Sequence, residues 1–109
     1  MDIKKQKVSS GIRFSLCDNE KEIGHAWLYI LSNDQHEQPF GFIEDVFVDE
    51  QYRGQGLGTK LIREMLREAK RKLCYKVILT SRNTKPGVHA FYNKFGFIDW
   101  GKEFRLPLE

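Results

Sequence analysis

Three glycines alternate in Arg53-Gly54-Gln55-Gly56-Leu57-Gly58, where an apolar stretch gives way to a long amphipathic one. Residues of this type at this place suit the binding of an anion. Glycine lets the main chain come within contact distance of a ligand, because no side chain intervenes. The first turn of a helix leaves backbone N–H groups without partners, and the helix dipole adds partial positive charge there. Together these form a cradle suited to phosphate, extending to Thr59. The spacing is not that of two common phosphate loops. A P-loop ends in Gly-Lys-Ser/Thr, whereas Gly58-Thr59-Lys60 has another order. A dinucleotide fingerprint needs G-x-G-x-x-G, and position 59 is Thr.

Other chemistry-bearing residues are sparser. The three histidines, His25, His36 and His89, have no zinc spacing. The two cysteines, Cys17 and Cys74, have no metal-ligand spacing either, so no metal is expected, and both are read as free buried thiols of a reducing cytoplasm. The net charge of +3 fits an anionic ligand but falls short of the basic stripe of a nucleic-acid binder. No apolar run approaches the roughly 18 residues of a membrane span. Residues 1–10 are polar and lysine-rich, unlike a secretory signal. The expectation is a cytoplasmic protein with neither nucleic-acid nor membrane partner, and its 109 residues, 1–109, read as one domain.

The elements that must position the cradle follow from periodicity. Ile12-Arg13-Phe14-Ser15-Leu16 alternates apolar and polar, which predicts a strand over residues 8–17. The turn Asp18-Asn19-Glu20-Lys21 links it to a second strand over 22–31, forming a hairpin. A third strand over 41–48 is apolar on both faces near its end, as in the middle of a sheet. A helix over 56–73 follows, with an apolar stripe of Leu57, Leu61, Ile62, Met65, Leu66, Ala69 and Leu73. Its other face is charged and solvated, with pairs such as Glu68–Lys72. A fourth strand is expected over 75–81. A short helix over 88–95 then starts near Pro86 and ends at Gly96, and residues 97–106 read as a last strand or hairpin. This order predicts an α+β fold: a mixed, mostly antiparallel sheet with helices on its faces.

A second segment, Phe91-Tyr92-Asn93-Lys94-Phe95-Gly96-Phe97, lies one strand downstream of the cradle. The two segments together resemble the GNAT superfamily of acetyl-CoA-dependent acetyltransferases. Arg53-Gly54-Gln55-Gly56-Leu57-Gly58 matches its Gln/Arg-x-x-Gly-x-Gly/Ala signature, and the second segment matches its C-terminal helix signature. The resemblance covers roughly residues 8–98 and implies a GNAT-like domain with acetyl-CoA as co-substrate. It implies that the diphosphate sits on backbone N–H groups from Gly54 to Thr59, and that Val46, Phe47 and Val48 line the pantetheine arm. Tyr92 matches the tyrosine that protonates the departing thiolate in many members, a role open to a phenol because its ordinary pKa near 10 exceeds that of the thiol.

Glu44-Asp45 ahead of the cradle resembles two subfamilies, the glucosamine 6-phosphate and the spermidine/spermine acetyltransferases, and Leu73-Cys74-Tyr75-Lys76 resembles the amino-sugar enzymes. A carboxylate at the cleft can orient an amine and take its proton. Successive strand residues face opposite ways, so both carboxylates reach one site only across a bulge. Glu44, read as sharing a face with Val46 and Val48, is the expected base. Two departures stand out. Asn83 lies nine residues before Tyr92, where the family places its pantetheine-contacting asparagine seven before. Only about ten residues precede the first hairpin, in place of the family's strand and pair of helices. The acceptor side is then expected to be open, built for a large acceptor, or closed by a second copy in a homodimer, with Phe14, Trp27 or Tyr29 as an exposed patch. The expected activity is transfer of an acetyl group to an unidentified primary amine by direct attack. The alternatives are acetylation of a protein or peptide amine, and a non-catalytic acyl-CoA-binding or partner-docking module.

Overall fold

Alternation and a tight turn make the first hairpin. β1 (Ser10–Asp18) pairs antiparallel with β2 (Lys21–Leu31) across a turn in which Asn19 takes φ 56°, a conformation asparagine tolerates better than most residues. The computed structural model describes residues 10–82 and 86–109. The strand start expected at residues 8–9, the N-terminal residues before it, and Asn83 lie outside these.

In the first unit, Met1–Leu79, β3 (Phe40–Val48) pairs antiparallel with β2 and parallel with β4 (Val77–Leu79). The sheet order is β1-β2-β3-β4, so the strand that leads to the cradle is interior, as its sequence suggested. A single 3₁₀ turn, Glu50–Tyr52, follows β3, and then α1 (Leu57–Arg71). The core lies between α1 and one sheet face: Ile23, Ala26, Leu28 and Ile43 from the sheet, and Leu61, Ile62, Met65 and Ala69 from the helix, are all buried. Gly41 permits this approach, since a Cβ there would lie 3.0 Å from Leu28 Cδ1 and 3.8 Å from the Ala69 Cβ. The charged face of α1 carries Glu64–Arg67 and Glu68–Arg71 pairs, the latter in place of the expected Glu68–Lys72.

The helix stripe is shorter than its sequence pattern. Leu73 lies beyond α1, takes φ 62° and is 71% exposed. The helix ends there because the Cys74 N–H donates to the Ala69 carbonyl and the Leu73 N–H to Lys70, a left-handed closure that rotates Leu73 off the stripe. The chain then returns to the sheet: the Tyr75 N–H donates to Pro39, and the Gly41 N–H to Lys76.

In the second unit, Thr80–Glu109, α2 (Pro86–Asn93) starts at the expected proline. It closes through a Gly96 N–H donated to Asn93, with Gly96 at φ 95°. The strand expected over 97–106 does not form. These residues pair with no neighbour among the described residues, and Ile98, Trp100, Phe104 and Leu106 are 70 to 93% exposed. A strand needs a ladder partner; alternation alone does not supply one.

Truncating Ile62 to alanine removes a fully buried side chain from the α1–sheet core and should cost about 2–5 kcal/mol in urea unfolding. Leu73→Ala should change stability by less than about 0.5 kcal/mol. Equal losses would mean that Leu73 belongs to the core stripe after all.

Candidate active site

The end of β3 is bent by an extra residue. Trp27 pairs with Glu44 and His25 with Phe47, so Asp45 and Val46 together face the single residue Ala26. Asp45 takes φ 56°. This is a β-bulge, and aspartate is among the residues that enter this region most readily. The bulge reverses the alternation expected from sequence. Glu44 shares the face of Phe42 and Phe47, together with His25, Trp27 and Tyr29 of β2, while Val46 and Val48 point to the face of Leu28 and Ile43. Glu44 therefore does not share a face with Val46 and Val48. Both Glu44 and Asp45 are exposed, and both are on the same side of the sheet, because Asp45 Oδ2 accepts a hydrogen bond from His25 Nε2 at 2.9 Å.

His25 is more closely held than a lone strand histidine. Its other ring nitrogen faces Glu22 Oε2 at 3.8 Å, and its ring lies 5.5 Å from that of Phe47. Arg13 forks Glu22 at 2.5 and 3.0 Å and also donates to Ser15. This guanidinium, with help from Ser15, holds the Glu22 carboxyl at about 2, well below the usual range. Of the expected patch, Trp27 and Tyr29 stack at 5.7 Å, but both are half-buried. Phe14 is half-buried too and pairs with Ala26, on the opposite face.

Parallel pairing between β3 and β4 covers only Gly41–Val77, Phe42–Ile78 and Ile43–Leu79. From Glu44 onward, β3 has no β4 partner, and its main chain toward Val48 is free on that side among the described residues.

The turn after β3 is fixed by its own hydrogen bonds. The Asp49 N–H donates to Ile23, the Tyr52 N–H to Asp49, and the Tyr52 hydroxyl to Asp18 Oδ2 at 2.9 Å. That last bond raises the Tyr52 phenol above its ordinary value. Arg53 turns back: its Nε donates to the Val48 carbonyl at 2.9 Å and its guanidinium lies over the Phe47 ring. The cradle follows. Gly54 and Gly56 take φ 81° and 78°, and a Cβ on either would meet nothing within 4 Å. Gly56 is the N-cap of α1, with no side chain capping it. Among the described residues, the backbone N–H groups of Gly54, Gln55, Gly56, Leu57, Gly58 and Thr59 have no hydrogen-bond partner, and the first paired one is Lys60, to Gly56. Six open donors on an exposed turn at the positive end of a 15-residue helix are what a diphosphate would need.

In the second unit, Tyr92 sits on α2 with its ring 5.3 Å from Phe91 and 6.0 Å from Phe97. Burial pushes its phenol above the ordinary value, which keeps the proton on oxygen at neutral pH. His89 is taken up by the Arg82 carbonyl at 2.7 Å, and His36 stacks on Tyr75. Cys17 is exposed, contrary to the expectation of two buried thiols; Cys74 is half-buried, and burial raises its thiol. Among the described residues no cluster of three or more His, Cys, Asp or Glu could hold a metal ion, and no helix is long and apolar enough to cross a membrane.

The arrangement can be set against known proteins. The acetyltransferase (GNAT) family matches residues 3–97, and the chain belongs to that family. A glucosamine 6-phosphate N-acetyltransferase of Trypanosoma brucei brucei is 46% identical over 69 residues, covering 62% of this chain and 44% of its own length. An N-alpha-acetyltransferase 30 of Schizosaccharomyces pombe is 28% identical over 97 residues, covering 87% of this chain and 63% of its own. Among solved structures, a putative acetyltransferase from Agrobacterium tumefaciens str. C58 superposes with a TM-score of 0.84 at 34% identity, over 89% of this chain and 68% of the other. The chain spans less than half the length of the first glucosamine 6-phosphate N-acetyltransferases it matches, 38% for one of rice and 44% for the trypanosomal one. These likenesses fix the fold as the α+β, GNAT-like mixed sheet expected from sequence.

The state of Tyr92 can be checked directly. Because burial raises its pKa, the phenol should ionise only as pH rises beyond about 10, and the neutral form should persist across the range below. A difference ultraviolet titration of the parent against Tyr92→Phe should show a single missing transition above pH 10. A missing transition at or below 10 would contradict the burial.

Proposed function

We propose that residues 1–109 form one GNAT-like domain that transfers an acetyl group from acetyl-CoA to a primary amine. The open cradle is the observation that carries this reading: two left-handed glycines and six unpartnered N–H groups at the start of α1. When bound, the co-substrate supplies a thioester carbonyl open to nucleophilic attack. The N–H groups of residues 54–59 would bind its diphosphate, with Arg53 holding the turn against β3. Val46, Phe47 and Val48, free of β4, would offer main-chain groups to the pantetheine arm. Of the two expected donors, Phe47 is paired with His25 in the β2–β3 ladder, so the Val46 N–H would stabilise the oxyanion, a donor worth about 3 kcal/mol in comparable sites.

Glu44, exposed on the sheet face it shares with Phe47, would orient the amine and accept its proton, directly or through water. Tyr92 would hand its proton to the departing sulfur; its raised pKa suits an acid that must stay protonated until then. No residue of this scheme needs a metal. The acceptor is read as a small-molecule amine, on the strength of the amino-sugar acetyltransferase relatives. The cytoplasm is proposed as the place where both free thiols stay reduced. A second reading, acetylation of a protein N-terminus, draws on the N-alpha-acetyltransferase 30 relative, whose match extends over more of this chain. Free-thiol release with small amines and with peptides, run side by side, decides between the two, and the absence of release with every acceptor would leave only a binding module.

Two variants test the assignments. Gly56→Val places a side chain in the open cradle and strains a left-handed position by about 1–2 kcal/mol. Its calorimetric affinity for acetyl-CoA should be lost while the circular dichroism of the fold persists; unchanged affinity would remove the cradle from the binding site. Tyr92→Phe should lower kcat by roughly 10²- to 10⁴-fold with acetyl-CoA affinity nearly constant. A parental rate would assign the acid elsewhere.

A further inference from the structure

Asp45 is a non-glycine residue in a left-handed conformation inside a strand. Such a backbone persists only where its surroundings fix it, and it is found most often at functional sites. The fixing contact is visible: His25 Nε2 and Asp45 Oδ2 are 2.9 Å apart. His25 is itself restrained on both sides. Its other nitrogen faces the Glu22 carboxylate that Arg13 forks, and its ring rests against Phe47. Phe47 in turn lies under the Arg53 guanidinium, whose Nε holds the Val48 carbonyl. A continuous set of contacts thus runs from β1 through β2 to the bulge, and from the bulge to the first residue of the cradle.

We propose that His25 is a positioning residue: by holding Asp45 it locks the bulge, and so sets the direction of the Val46 main-chain N–H, which would face the acyl end of the bound co-substrate, while the neighbouring Phe47 stays paired with His25 in the ladder. This rests on the acetyl-transfer reading above. Neither His25 nor Asp45 is proposed to touch the reacting atoms. The side chains are 21% and 60% exposed, so their bond adds little to global stability, and its effect is local. One residue of slip at this point would give Val46 the ladder position of Phe47 and turn its N–H toward β2.

The sequence around the site is consistent with this. Asparagine and aspartate enter the left-handed region at low cost, so Asp45 is the non-glycine residue of β3 best able to take the bulge conformation.

The test compares His25→Ala, Asp45→Ala, the double variant and Asp45→Asn, which keeps an oxygen for the His25 N–H. Two readouts are taken: hydrogen exchange of individual amides, and acetyl-transfer kinetics with the best amine acceptor found. Either alanine variant should speed exchange at Phe47, the ladder amide beside the bulge, at least about tenfold, with α1 amides and the unfolding midpoint unchanged. It should lower kcat roughly 10- to 100-fold with KM for acetyl-CoA within about threefold. The double variant should be no slower than the slower single one, because both remove the same contact. Asp45→Asn should retain most of the parental rate and protection. Unchanged exchange at Phe47 in both alanine variants, or losses that multiply in the double, would overturn the proposal. If the parent acetylates no amine, the acetyl-transfer reading fails, while the exchange measurement still decides whether His25 holds the bulge.

Discussion

The corner between β3 and α1 must keep its main chain bare. Two glycines there adopt left-handed angles, no side chain caps the helix, and six successive N–H groups have no partner among the described residues. Buried polar groups of this kind would be costly; at an exposed helix start they are tolerated in water and are ready for an anion. The rest of the first unit can be understood as what keeps this corner in place. The buried stripe of α1 anchors the helix on the sheet, Gly41 lets it come close, and Arg53 and Tyr52 pin the turn to β3 and β1.

A second constraint works alongside the first. β3 is interior to the sheet, yet it parts from β4 after Ile43 and carries an extra residue at Asp45. An interior strand with both neighbours paired along its length would have no main-chain groups to offer. Separation on one side and a bulge on the other free a few of them just ahead of the cradle, so that a long ligand can be gripped at two points. Phe47 lies between the two regions, its ring 5.5 Å from that of His25 and under the Arg53 guanidinium.

Much of this was legible in the sequence. Alternation placed β1, β2 and β3, and the apolar period placed α1, because those patterns reflect burial against a single core. The glycine spacing announced the cradle because only glycine takes these angles freely. The bulge was not legible: it depends on cross-strand register, and Glu44 and Asp45 look equally plausible as a regular pair. For the same reason the face of Glu44 was misjudged and His25 was undervalued. The αL tolerance of aspartate was the one available hint. Leu73 extended the helical period past the point where a left-handed closure ends the helix, and the alternating tail after Gly96 had the pattern of a strand without a ladder to join. Cys17 alternates with Leu16 on an edge strand, which exposes it.

The most direct measurement is a titration of isotope-labelled protein with acetyl-CoA, followed amide by amide in nuclear magnetic resonance spectra. Saturable shifts should concentrate on residues 54–59, with a smaller set at residues 46–48 and little change on the far end of α1. Shifts that saturate elsewhere while residues 54–59 stay silent would contradict the binding of a diphosphate by these open main-chain donors.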